Sequence, residues 1–358
     1  MKKILLVDDS ALMRRVFCDI IKTDGRFSVE DEAYDGIQAL GLLKQKNYDA
    51  VILDVNMPRM DGIELLKELK KNGIKARILM ASTVTKEGAK ITMDALELGA
   101  MDFVHKPEWS FKCKEEDFKN TFLDTLEAVS NSRIPDEKIR INTENTDKIK
   151  EMARKRAGQN NGRRIVAIAV STGGPKALQS VIPLLPSDLA APVVLVQHMP
   201  EGFTGSLAER LNSMSEISVK EGAEGEAIRS GTVYIARAGK HFNLVSRGRD
   251  TIINYTDEPS REGVKPCANY MYESLVSCGY DENICIVMTG MGSDGTEGIK
   301  NLKKSGKKTV VITQEGSSCV VNGMPRACAN AGLSDSTVTL TQIAQEIILR
   351  VGVKQNGC

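Results

Sequence analysis

The 358-residue chain has almost no net charge: 48 Lys and Arg against 47 Asp and Glu leave +1. Such a balance offers little to a polyanion, so nucleic acid and an anionic membrane surface are not expected as partners. Long apolar runs are also missing. Nothing approaches the ~20 residues of a membrane helix, and no membrane insertion is expected. The start is apolar only from Ile4 to Val7 before Asp8 and Asp9 intervene. That is short of the ~7–15 residues of a secretion h-region. Histidine is scarce, at three residues, and none of the eight Cys stands in a Cys-x-x-Cys pair. A structural zinc site is therefore not expected. Scattered cysteines fit a reducing cytoplasm, most of them as small buried apolar side chains. Neither Gly-x-x-x-x-Gly-Lys-Ser/Thr nor Gly-x-Ser-x-Gly occurs, so a P-loop and a hydrolase nucleophile elbow are absent.

What is present alternates between strand and helix patterns. Apolar runs at Lys3–Val7, Ala50–Leu53, Arg77–Ala81 and Met101–Val104 predict strands buried on both faces. After Ser10, a capping residue, Leu12, Met13, Val16, Phe17, Ile20 and Ile21 recur at helical spacing. Phe118, Phe122, Leu126 and Val129 mark a closing helix. Residues 1–130 thus predict a doubly wound parallel sheet. Residues 131–162 contain no aromatic residue and many polar ones. They predict a linker, with a helix near Asp147–Arg156. From 163 to 352 the alternation resumes. Ile165–Val170, Val193–Gln197, Val233–Ala236, Ile284–Thr289 and Thr309–Thr313 predict strands. Pro175–Leu185, Gly205–Leu211, Ala268–Ser277 and Thr296–Lys304 predict helices. Leu244–Ser246 and Thr251–Tyr255 predict a hairpin. Residues 353–358 are read as a tail. The expected fold is α/β in two domains, the second also doubly wound and mostly parallel.

Functional groups of an open parallel sheet gather outside the carboxyl ends of its strands. In the first domain those ends carry Asp8 and Asp9, Asp54, Ser82 and Lys106. Clustered carboxylates repel and call for a hard cation such as Mg²⁺. A carboxylate, a metal, a hydroxyl and an ammonium together can accept a phosphoryl group and respond to it. Singly, each has a plainer reading as a turn, cap or surface residue.

With Asp54-Val55-Asn56-Met57-Pro58-Arg59-Met60-Asp61-Gly62 after its strand, the first domain resembles the receiver of two-component response regulators. The resemblance implies Asp54 as phosphoacceptor. It implies Mg²⁺ on Asp8, Asp9 and Asp54 with the Asn56 carbonyl as a further ligand. Ser82 and Lys106 would contact the phosphoryl group, and Phe103 would be the switching aromatic.

In the second domain a strand runs into Ser171-Thr172-Gly173-Gly174-Pro175, with Pro opening a helix. A Ser there projects toward a helix N-terminus, where backbone N–H groups stabilise an anion. His198 follows the strand Val193–Gln197, and Asp294 follows the strand Ile284–Thr289. Nucleophile, general base and orienting carboxylate fit Ser171, His198 and Asp294. The plainer readings are a structural His and an Asp that caps the helix Thr296–Lys304.

Ser-Thr-Gly-Gly-Pro, Gln197-His198-Met199-Pro200, Gly231-Thr232-Val233-Tyr234-Ile235-Ala236, Thr289-Gly290-Met291-Gly292 with Asp294-Gly295, and Cys319-Val320-Val321-Asn322-Gly323-Met324-Pro325-Arg326 carry a second resemblance. They are similar to the catalytic domain of chemotaxis protein-glutamate methylesterases, the CheB family. One departure is Ala169-Val170, where Gly-Ala commonly precedes the Ser. The family implies the triad Ser171, His198 and Asp294, with Thr172 beside the nucleophile and the Met291 N–H as oxyanion donor. It implies demethylation of chemoreceptor glutamates with release of methanol, and deamidation of receptor glutamines. No cofactor is implied for the esterase. The implied partners are methyl-accepting chemoreceptors and the chemotaxis histidine kinase, and the implied location is the cytoplasm at chemoreceptor clusters. Phosphorylation of Asp54 would relieve a block by the receiver. Two rivals stand beside this reading. In one the second domain only binds a partner, against the intact Ser, His and Asp. The other is a DNA-binding regulator, against the balanced charge and the absence of a helix-turn-helix pattern.

Overall fold

The computed structural model describes residues 1–83, 85–106, 115–133 and 162–354. The helix expected near Asp147–Arg156 lies outside the described residues. The chain divides into two compact units, Met1–Pro135 and Asp136–Cys358.

The first unit is built on five parallel strands: β1 (Lys2–Val7), β2 (Phe27–Ala33), β3 (Ala50–Asp54), β4 (Ile78–Ser82) and β5 (Asp102–His105). Their order is β2-β1-β3-β4-β5. Helices α1 (Ala11–Lys22), α2 (Gly36–Gln45), α3 (Gly62–Lys71), α4 (Lys86–Glu97) and α5 (Glu115–Asn131) alternate with them. β3 and β4 are buried along their whole length, as apolar runs between two helical layers should be. β2, unlike the others, was not marked by an apolar run. It is the edge strand, buried only at Phe27 and Ala33, so Ser28, Glu30, Asp31 and Glu32 are tolerated along it. Ser10 caps α1 by accepting from the Met13 N–H at 3.3 Å, as its place before the helical pattern predicts. Phe17 of α1 stacks on Phe122 of α5 with centroids 5.1 Å apart. Each fully buried ring of this kind contributes about 1.5–3 kcal/mol. The result is a sheet whose β1, β3, β4 and β5 all end at one edge.

The second unit holds a seven-stranded sheet in the order β14-β13-β12-β6-β7-β9-β8, parallel throughout. The central strands are β6 (Arg164–Val170) and its neighbours β7 (Val193–Gln197) and β12 (Glu282–Val287). Outward lie β8 (Ser218–Glu221), β9 (Thr232–Ile235), β13 (Thr309–Gln314) and β14 (Ser336–Val338). A separate antiparallel ribbon joins β10 (His241–Arg247) to β11 (Asp250–Thr256), longer on both sides than the expected hairpin. The helices are α6 (Gly174–Val181), α7 (Thr204–Ser213), α8 (Ala268–Ser274), α9 (Thr296–Lys304), α10 (Met324–Asn330) and α11 (Leu340–Val351). The helix expected over Pro175–Leu185 stops at Val181 and tightens into a 3-10 turn, Ile182–Leu184. Pro183 has no N–H to continue the α-helical ladder. Val353 is buried and bridges to Leu189, and the Lys354 N–H donates to the Asp188 carbonyl at 2.7 Å. The packed chain therefore continues two residues past Gly352, into the segment read as a tail.

Candidate functional sites

At the strand ends of the first unit, Asp8 and Asp54 are buried and Asp9 is exposed. One oxygen from each of the three carboxylates lies within 4.8 Å of the others. Lys106 Nζ sits 2.8 Å from Asp8 Oδ2 and 2.7 Å from Asp54 Oδ1. A hard all-oxygen donor set with excess negative charge fits Mg²⁺. Burial pushes the Asp54 carboxyl up to about 6; Lys106 opposes this and the Asp8 charge adds to it. Ser82 is buried, its Oγ only 3.4 Å from the Thr83 and Gly88 carbonyls. Phe103 is buried within β5, and Asn56 is exposed on the loop two residues past Asp54. Gly62 lets that loop close on itself: a Cβ there would strike the Asp54 carbonyl. The loop then enters α3 through a reciprocal capping box between Asp61 and Glu64.

The raised Asp54 value carries a stability consequence. The group's unfolded value is about 3.8. Between that value and about 6 the unfolded chain gives up the proton first, so native stability falls across this window and the full cost applies above it. Asp54→Asn removes the charge. In chelator at pH 7 it is expected to stabilise the receiver unit by about 1–3 kcal/mol, with no gain near pH 4. Urea unfolding followed by far-UV circular dichroism measures it. An unchanged midpoint at pH 7 would show that burial does not control Asp54.

In the second unit the central strand delivers Ser171, and its two neighbours deliver His198 and Asp294. The His198 Nε2 lies 2.8 Å from Asp294 Oδ2. A carboxylate only accepts, so Nε2 carries a proton, and in the neutral ring the lone pair lies on Nδ1. The Asp294 carboxylate takes three more donors. Oδ2 accepts from the Ala268 N–H at 2.6 Å, and Oδ1 accepts from the Asn269 N–H and the Cys267 thiol, both at 3.0 Å. Burial works against the Asp294 charge, yet His198, Cys267 and Ala268 together hold its carboxyl below the ordinary value.

Asp294 therefore does not cap α9, the helix that follows it. It binds the first N–H groups of α8. The α9 end is served by Asn269 of α8, whose Oδ1 accepts from the Gly295 N–H at 3.1 Å and the Gly298 N–H at 2.6 Å. The two helix starts exchange caps. The spacing Gly290-x-Gly292-x-x-Gly295 does match the dinucleotide fingerprint, which corrects the expectation from sequence that the chain lacks Gly-x-Gly-x-x-Gly. The N–H groups that would meet a pyrophosphate are already taken by Asn269.

Ser171 is fixed through its backbone. Its N–H donates to the Thr289 carbonyl at 3.0 Å, and its carbonyl accepts from the Gly174 N–H at 2.7 Å. Gly173 adopts φ +74, a left-handed turn that favours glycine and opens α6. Gln197 rivets both loops: its Nε2 donates to the Ser171 carbonyl at 3.0 Å and the His198 carbonyl at 2.9 Å. Thr172 is buried, its carbonyl accepting from Thr289 Oγ1 at 2.9 Å. Met291 is exposed, and its backbone passes against Gly323, whose Cβ, if present, would sit 3.0 Å from the Met291 Cα. Gln197, Cys267, Ala268 and Asn269 were not foreseen as site residues. Only Gln197 had a signal, its place beside His198.

Both units of the chain match known protein families. A family profile described as CheB methylesterase matches residues 166–347, and one described as response regulator receiver domain matches residues 4–113. A "Protein-glutamate methylesterase/protein-glutamine glutaminase" of Bacillus licheniformis is 38% identical, covering 97% of this chain and 98% of its own. One of Pyrococcus horikoshii with the same description is 36% identical, over 99% of this chain and 95% of its own. The crystal structure of the Thermotoga maritima CheB methylesterase catalytic domain is 37% identical, with a TM-score of 0.51 over 54% of this chain and all of that one.

Proposed function

Because the chain belongs to the family of CheB methylesterases that carry a response-regulator receiver, we propose that it is a phosphorylation-controlled protein-glutamate methylesterase of chemotaxis. Its substrates are the glutamate methyl esters of methyl-accepting chemoreceptors, hydrolysed to carboxylate and methanol, and receptor glutamines, deamidated by the same route. The observation that carries this reading is the His198–Asp294 hydrogen bond at the strand ends that flank Ser171.

In this reading Ser171 Oγ attacks the ester carbonyl while His198 Nδ1 takes its proton. The developing oxyanion is met by the Met291 N–H at a loop beside the nucleophile and Thr172. The imidazolium then protonates the departing methoxide. Water, activated by the same nitrogen, releases the glutamate and restores Ser171. The chain's own groups supply every part, and no cofactor is invoked for this step.

Residues 1–130 act as the receiver, 131–162 as the linker and 163–352 as the hydrolase. Asp54 accepts a phosphoryl group from the chemotaxis histidine kinase. Asp8, Asp9, Asp54 and the Asn56 carbonyl would hold Mg²⁺, which when bound offsets the negative charge of the incoming phosphoryl group. Ser82 and Lys106 contact the transferred group, and Phe103 repacks in response. Among the described residues no helix is long and apolar enough to cross a membrane. The protein is proposed to act in the cytoplasm, at receptor clusters.

Methanol release from methylated receptor tests the proposal. A small phosphodonor with Mg²⁺ is expected to raise the rate about 5–150-fold, the usual range of a coupling free energy between sites. Chelator, or Asp54→Asn, should abolish that increment. No methanol under any of these conditions would return the second domain to a partner-binding role.

A further inference from the structure

His241 is fully buried at the start of β10. Its Nε2 lies 3.1 Å from the Pro259 carbonyl. A carbonyl only accepts, so Nε2 carries the proton and Nδ1 is an acceptor. Nδ1 takes the N–H of Cys267 at 3.2 Å. The ring is packed on Tyr270, with centroids 4.5 Å apart. Cys267 is also fully buried, and its thiol is the 3.0 Å donor to Asp294 Oδ1.

We propose that Cys267 and His241 form a positioning pair behind Asp294, the thiol holding Oδ1 and the imidazole holding the peptide that carries the thiol. The proposal rests on the reading of Ser171, His198 and Asp294 as the reacting set. It extends the hydrogen-bonded series inward from His198 to Asp294, then Cys267, then His241, then Pro259. A carboxylate turns about its Cβ–Cγ bond unless both oxygens are held. Oδ2 faces His198 and the Ala268 N–H, Oδ1 takes the Asn269 N–H, and the Cys267 thiol is the side-chain donor that completes the hold on Oδ1. Burial, and next the Asp294 charge, push the Cys267 thiol far above its ordinary value, which keeps it S–H and therefore a donor. Neither residue touches substrate. Both act through the direction of the Asp294–His198 bond.

The test uses the full chain and methanol release from methylated receptor, with melting curves for each variant. Cys267→Ala is expected to lower kcat about tenfold with KM unchanged, the scale of one lost hydrogen bond to a charged group. Cys267→Ser restores a donor and should recover most of the loss. His241→Ala should lower kcat in the same way, and His241→Asn, which restores an acceptor, should recover part. In proton NMR the downfield His198 Nε2–H resonance, assigned by its loss in His198→Ala, should shift in Cys267→Ala and return in Cys267→Ser. A folded Cys267→Ala with normal kcat overturns the proposal. So does a Cys267→Ser as slow as Cys267→Ala, which would make the residue a matter of volume. Ser171→Ala, run alongside, separates the two readings. If it still releases methanol, the reacting set itself is wrong; if it is inactive while Cys267→Ala is normal, only the positioning pair falls.

Discussion

Ser171→Ala is expected to lower methanol release by about ten-thousand-fold or more while leaving the fold intact. The physical case is that, among the described residues, Ser171 is held through its backbone groups: its N–H to Thr289, its carbonyl to Gly174 and Gln197. Losing the hydroxyl disturbs none of these. The turn is set by Gly173 in its left-handed conformation and by Gly174, whose Cβ, if present, would collide with Gln197 Oε1. A melting temperature within a degree or so of wild type is therefore expected for the variant. A folded Ser171→Ala protein with near-normal turnover would remove the nucleophile from the account.

Asp294→Asn is the second large effect, and its origin is a mismatch of donors. The carboxylate receives four: His198 Nε2 and the Ala268 N–H on one oxygen, the Cys267 thiol and the Asn269 N–H on the other. An amide has one oxygen and one NH₂. Whichever way it turns, the NH₂ faces two donors. Either α8 loses the partner of its first N–H groups, or His198 is driven to the wrong tautomer. A loss of about a thousand- to ten-thousand-fold in kcat is expected, together with lower stability of roughly 1–3 kcal/mol. That is milder than Ser171→Ala or His198→Ala, which would remove the proposed nucleophile and the proposed base outright. Steady-state rates across pH, paired with denaturant unfolding, measure both effects. Wild-type rates at every pH would leave Asp294 as a cap and nothing more.

The interior of the fold was legible because burial on both faces leaves no choice of residue. β3, β4, β6 and β7 read as apolar runs and stand within a residue or so of where those runs lie. β2, β8 and β14 did not show. They border their sheets, and each keeps only one or two buried positions or none, too few for any pattern. The site divides in the same way. Ser171, His198 and Asp294 were visible because topology alone carries strand ends to one edge. The groups that hold Asp294 were invisible. Ala268 and Asn269 act through backbone N–H, which every residue but proline has, and Cys267 resembled one more buried cysteine. Their significance arises only from a contact between α8 and the loop before α9, some 25 residues apart in sequence. Nor does spacing say which imidazole nitrogen faces a carboxylate.

The exchange of caps between α8 and α9 bears on how activity is to be judged in descendants of this sequence. Asp294 has two independent duties, one proposed in hydrolysis and one in binding the first N–H groups of α8, and the second remains if hydrolysis is no longer selected. A lineage that drifted into a pure scaffold would still keep Asp294 and Asn269, since losing either exposes the start of a helix. Their presence therefore carries little information about turnover. Among the described residues the Ser171 hydroxyl has no such second duty in the local hydrogen bonding, so drift is free to erase it. Among the three strand-end residues it is the sensitive marker: the first to vanish from a chain that has stopped being an enzyme.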